Sequence, residues 1–138
     1  MDHQIVAEKL ESLRRCVRRI EEKRPSTPEA LLGDYDLQDI LVLNLSRAVQ
    51  LCVDIAAHLI SDLEIPLPNT MGNTFDSLAQ AGLLETRLAA RLKKAVGFRN
   101  VAVHNYEAID WNIVYAISKD HLSDFSDFAR AISARLQP

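Results

Sequence analysis

The chain has 138 residues, of which 48% are hydrophobic and 25% charged, with four glycines, five prolines and a formal net charge of -3 at pH 7. This length fits one domain, 1–138, and the composition excludes a disordered, collagen-like or disulfide-stapled chain. The acidic balance excludes a surface built throughout to hold nucleic acid, and no run of about 18 uncharged apolar residues suggests a membrane span or leader, so a cytoplasmic protein is expected.

In chain order, Val6, Leu10, Leu13, Val17 and Ile20 recur at four- and three-residue spacing, which predicts a first helix over about 3–23 with one face on a core. "KRPSTPEALLGDYD" carries two prolines and a glycine and reads as a connection. A second and longest helix is expected from near Leu37, capped by Asp36, with Leu41, Leu45, Val49, Cys52, Ala56, Leu59 and Leu63 as its buried stripe. After "EIPLPNTMGNT" a short third helix holds Phe75, Leu78 and Ala79, and Gly82 is its expected stop. A fourth helix starts near Glu85 with Leu88, Leu92 and Val96, and a fifth near Asp110 carries Val114, Ile117, Phe125, Phe128 and Ile132. No strand pattern competes. The expected fold is an all-α bundle of about five helices around a long antiparallel pair. Cys16 and Cys52 fall inside apolar helical patterns and read as buried free thiols in a reducing compartment.

The chemistry gathers at the end of the fourth helix, in "GFRNVAVHNYEAIDW", Gly97 to Trp111. At about 100° per residue, Arg99 falls about 20° from the line of Leu88, and Tyr106 would fall about 20° from Arg99 if the helix ran on. A charge on an apolar seam needs a carboxylate, a wet cleft or an anionic ligand. Ala95, Val96, Gly97, Phe98, Val101, Ala102 and Val103 leave the helix apolar on nearly every side, so a second subunit is expected to cover it. His104 stands five residues after Arg99, about 140° away around an ideal helix. Either the helix breaks before His104, or the histidine completes a cleft with the other subunit's arginine.

Arg99, Asn100, His104 and Tyr106, in the pattern arginine, four residues, histidine, one residue, tyrosine, resemble the signature of the HEPN superfamily, and more narrowly of the HepT toxins of MntA–HepT toxin–antitoxin systems. The likeness extends over "YDLQDILVLNLSRAVQLCVDIAAHLI" and "MGNTFDSLAQAGLL", which look like that family's long second helix and its third. The resemblance implies a homodimeric HEPN-like bundle that cuts RNA with no metal or other cofactor. His104 would be the general acid/base, Arg99 the stabiliser of phosphate and transition-state charge, and Asn100 a supporting residue; the products would be a 2′,3′-cyclic phosphate and a 5′-hydroxyl. Imidazole and guanidinium suit those tasks on their own chemistry. Tyr106 matches the position that a partner MntA nucleotidyltransferase modifies with AMP, which silences the toxin. The alternative is a catalytically silent HEPN dimer that holds a nucleotidyltransferase or a nucleotide.

Three features stay open at this level. Arg14, Arg15, Arg18 and Arg19 form either a solvated face or a phosphate track. Arg47, Asp54 and His58 share one side of the second helix as a support network or as plain wet surface. Asp54, His58 and Asp62 have spacing that could hold a metal, which is the weaker reading.

Overall fold

The computed structural model describes residues 2–136. Helix α1 (His3–Lys23) starts where the Asp2 carboxylate accepts the amides of Gln4 and Ile5, and it buries the stripe that the spacing predicts, with Cys16 added. The connection that follows is not all loop. It contains a single helical stretch, α2 (Pro28–Leu32), which Thr27 caps through the amide of Ala30, and Pro28 opens it where a missing N–H costs no helical bond. A residue of the next helix helps to close it: buried Gln38 donates from Nε2 to the carbonyls of Leu31 at 3.0 Å and Leu32 at 3.3 Å, and the Leu31 carbonyl also accepts the Asp34 amide at 3.3 Å. That tertiary cap is invisible to a proline-based reading.

Helix α3 (Tyr35–Asp62) is the longest, and Asp34 rather than Asp36 caps it, accepting the amide of Leu37 at 3.1 Å. It begins two residues before the expected position because α2 ends at Gly33 and leaves Asp34 extended. The direction of α3 against α1 follows from side-chain pairing. Lys9 Nζ lies 3.7 Å from Asp54, whereas Cys16, two turns further along α1, feels the charge of Arg47, two turns back along α3. The pair is therefore antiparallel. By length and composition α3 could cross a membrane, but half of its most apolar stretch is buried within the bundle, as suits a central helix.

Helices α4 (Met71–Gln80) and α5 (Thr86–His104) form a second hairpin. Gly82 stands in the left-handed region at φ 78°, and the Leu83 amide reaches back to the Leu78 carbonyl at 2.9 Å, so the expected glycine stop is in place. The same closure after α3 falls on Glu64, at φ 58°, with the Ile65 amide on the Ile60 carbonyl. The two helices approach closely at buried Gly72, where an added Cβ would stand 3.1 Å from the Lys93 side chain.

The last expected helix is two. After a 3-10 turn (Tyr106–Ala108), α6 (Trp111–Asp120) and α7 (Ser123–Leu136) are separated by a bend at His121. The apolar spacing continues in phase through the bend, so nothing local marks it. It arises because α6 packs on α2 while α7 packs on α1 and α5. Among the described residues the count is thus seven α-helices and no strand, against about five expected. One continuous apolar core runs through them, with Phe75 and Phe128 edge to face at 6.0 Å and fully buried.

Truncating Phe128 to alanine should lower the unfolding free energy by about 3–5 kcal/mol, measured by urea denaturation followed by circular dichroism. Gly82→Ala, which meets no atom within 4 Å and so tests backbone strain alone, should cost about 1–2 kcal/mol.

Candidate functional site

Helix α5 stays α-helical to its last residue. The Asn105 amide still bonds the Val101 carbonyl at 2.8 Å, and only then does the chain turn, with Ala108 bonded to Asn105 and Ile109 to Tyr106. The break before His104 that would have brought it beside Arg99 is absent. Within one chain the two side chains leave an unbroken helix about 140° apart. Tyr106 does not continue the helical line either, because it belongs to the 3-10 turn.

Arg99 lies on the α4 side of α5 and is half-buried. Its Nη1 meets the Asn100 side-chain oxygen at 3.3 Å and the Met71 sulfur at 3.9 Å, and among the described residues no carboxylate pairs with it. By contrast, Arg91 is neutralised by Asp124 at 2.7 Å. A partly desolvated guanidinium held only by an amide oxygen and a thioether retains its full attraction for an anion. Asn100 thus braces the arginine, while its own position is exposed. His104 is exposed at the C-terminal end of α5.

Tyr106 turns back to the start of α3. Its hydroxyl donates to Asp39 Oδ1 at 2.7 Å, and its ring packs edge-on against Trp111 with centroids 5.9 Å apart. Partial desolvation, the hydrogen bond to Asp39 and the charge of that carboxylate push the phenol up from 10 to about 12. The tyrosine is therefore a neutral, oriented hydroxyl that is still 42% exposed. Sequence reasoning missed Asp39 and Trp111. Asp39 stands 67 residues away among the ordinary acids of a helix start, and no local pattern separates it from Asp36.

The other flank of α5 carries a different surface. A cavity of about 530 Å³ opens between α5, the 3-10 turn, α6 and α7, lined chiefly by Gly97, Phe98, Val101, Ile109, Ile113 and Ile117. Val101 and Ile113, which line it, are exposed, so part of the apolar circumference expected of α5 is left uncovered by this chain, whereas Val96 and Ala102 are buried in the core. Arg91, Lys94 and His121 also line it, with Asp110 and Asp124, and Arg99 takes no part in it.

The remaining candidates separate from the motif. Arg14 and Arg18 pair with Glu11, and Arg19 with Glu22, which makes most of the arginine run a solvated, self-neutralised face. Arg47 and Asp54 line a groove against α1 with Arg15 and Ser12, and Asp54 is taken up by Gln50 at 2.9 Å and by Lys9. No motif residue lines that groove, and His58 is partly buried. Among the described residues no group of three His, Cys, Asp or Glu side chains is placed to hold a metal. Both cysteines are free and buried, and burial pushes their thiols up, most of all that of Cys52.

Comparison with known proteins matches residues 13–132 to the family described as ribonuclease HepT-like. The mRNA nuclease HepT of Shewanella oneidensis is 35% identical over 130 residues, covering 94% of this chain and 97% of that one. The tRNA nuclease HepT of Aphanizomenon flos-aquae is 26% identical over 132 residues, covering 96% and 90%. A solved structure of the tri-AMPylated Shewanella oneidensis HEPN toxin in complex with its MNT antitoxin superposes with a TM-score of 0.89 at 34% identity, covering 97% of this chain and 98% of that one.

The raised Tyr106 pKa gives a signed prediction. Between about pH 10 and 12 the folded protein keeps a proton that the unfolded chain has released, so the stability contributed by this contact is complete below 10 and lost as the pH climbs to about 12. Asp39→Ala should move the Tyr106 titration down toward 10, read from the NMR shifts of the ring carbons, and shrink that window accordingly.

Proposed function

Because this chain belongs to the HepT-like ribonuclease family, we propose that it is a metal-independent endoribonuclease and the toxin half of a toxin–antitoxin pair, acting in the cytoplasm. The observation that carries the reading is a half-buried arginine, with no counter-ion among the described residues, on the same terminal stretch of helix as an exposed histidine. Arg99 is placed to grip the scissile phosphate with its two-pronged guanidinium and to offset the extra charge of the pentacoordinate transition state. His104 takes the proton of the ribose 2′-hydroxyl and returns one to the departing 5′-oxygen. The attacking group belongs to the substrate, so the products are a 2′,3′-cyclic phosphate and a 5′-hydroxyl.

A continuous α5 sets these two groups about 140° apart within one chain, and the exposed Val101 and Ile113 ask for a covering surface. A twofold homodimer meets both demands, because it buries the apolar flank and sets the Arg99 of one subunit across from the His104 of the other. The partner that restrains the toxin is a nucleotidyltransferase antitoxin. Its target is the Tyr106 hydroxyl, where an added AMP places negative charge at the end of α5 and competes with RNA phosphate for Arg99.

Purified protein should cleave RNA in EDTA to cyclic-phosphate ends, and Arg99→Ala or His104→Ala should each reduce the rate by about 100-fold or more. Retained cleavage in both variants removes this site assignment. Mixing the two inactive variants under conditions of subunit exchange should restore up to roughly a quarter of the wild-type activity, since half the dimers then hold one intact composite site. No recovery on mixing would place both groups in one subunit.

A further inference from the structure

The chain has three tyrosines, and their surroundings differ in a way that bears on which one accepts a nucleotide. Tyr35 is 81% exposed at the first residue of α3, more open than any competitor. Tyr115 is buried, and its hydroxyl is spent on the Ser26 carbonyl at 2.9 Å. Tyr106 is intermediate in exposure but has its hydroxyl proton directed at a carboxylate. Access alone would select Tyr35. Chemistry selects Tyr106.

A phenol that stays protonated is a poor nucleophile toward phosphorus unless its proton leaves as the new bond forms. Asp39 Oδ1 lies 2.7 Å from Tyr106 Oη, within the range for direct transfer along an existing hydrogen bond. The carboxylate is exposed on the second turn of α3, where it can pass the proton on to water. The ring is held from the side by Trp111, which leaves the oxygen's direction fixed by two contacts from different parts of the chain.

We propose that Asp39 is the toxin's own general base for its silencing, taking the proton of the Tyr106 hydroxyl as that oxygen attacks the α-phosphorus of ATP held by the nucleotidyltransferase. The Oη–P bond forms, the P–O bond to pyrophosphate breaks and pyrophosphate departs, and the phenolic proton moves to Asp39 Oδ1. This inference rests on the regulatory reading above, in which Tyr106 is the modified residue. It adds that the chain supplies part of the machinery for its own modification, and that Asp39 rather than exposure marks the acceptor. After the transfer the proton that joined Tyr106 to Asp39 is gone, and the phosphodiester and the carboxylate repel one another.

The test uses full-length toxin, its cognate nucleotidyltransferase and ATP, with intact mass for rate and peptide mapping for position. Wild type should be modified at Tyr106, and Tyr106→Phe should not be modified there. Asp39→Asn is isosteric and still accepts a hydrogen bond, so it keeps the fold and the aim of the phenol but cannot take a proton. Its kcat for modification should fall by about 100-fold with KM for the toxin unchanged. Asp39→Glu, which restores a carboxylate, should recover part of that loss. Modification of Asp39→Asn at the wild-type rate overturns the role of Asp39 and leaves the regulatory reading standing. Wild-type modification at Tyr35 instead of Tyr106 overturns both.

Discussion

The unbroken backbone of α5 is the constraint on which the rest of the molecule depends. Its hydrogen bonds persist to the Asn105 amide, so every side chain from Thr86 to His104 has a fixed angular position. Leu88, Leu92, Val96 and Ala102 are spent on the core, Arg99 emerges on the α4 side, and His104 emerges on the other. The proposed composite site answers that separation by drawing the second group from another subunit.

The same helix end explains why the surface around it is so uneven. On one flank a guanidinium stands with no counter-ion among the described residues, and on the other a largely apolar hollow of about 530 Å³ lies open. Each would be costly in a monomer in water, the first by desolvation without repayment and the second by apolar exposure. The proposed homodimer would close the hollow, and the proposed anionic substrate would meet the arginine. The 3-10 turn then returns the chain to α3, so that Tyr106 is anchored by Asp39 and Trp111 next to the site it is proposed to govern.

Much of this was legible along the chain. The limits of α1, the buried stripe of α3 as far as Leu59, the glycine stop after α4 and the motif of Arg99, Asn100, His104 and Tyr106 each rest on local spacing or on one residue's backbone preference; Leu63, expected to end that stripe, is exposed because α3 stops at Asp62. What escaped depended on neighbours. Helix α2 is closed by Gln38 from the next element, the stop after α3 uses Glu64 where no glycine announces it, and the bend at His121 has no local mark because its apolar phase is preserved. Asp39 escaped for the same reason: its meaning lies in a hydroxyl 67 residues away.

The sequence by itself determined an all-helical chain with a long antiparallel pair, a polar motif at the end of an apolar helix, and the residue types that could act on a phosphate, because helical periodicity and side-chain chemistry are local properties. Tertiary structure decided whether those residues meet. It kept Arg99 and His104 on well-separated sides of one intact helix, left Arg99 with no carboxylate partner among the described residues, and gave Tyr106 a hydrogen-bond acceptor in Asp39, outcomes that rest on how the elements pack and not on any stretch of chain alone.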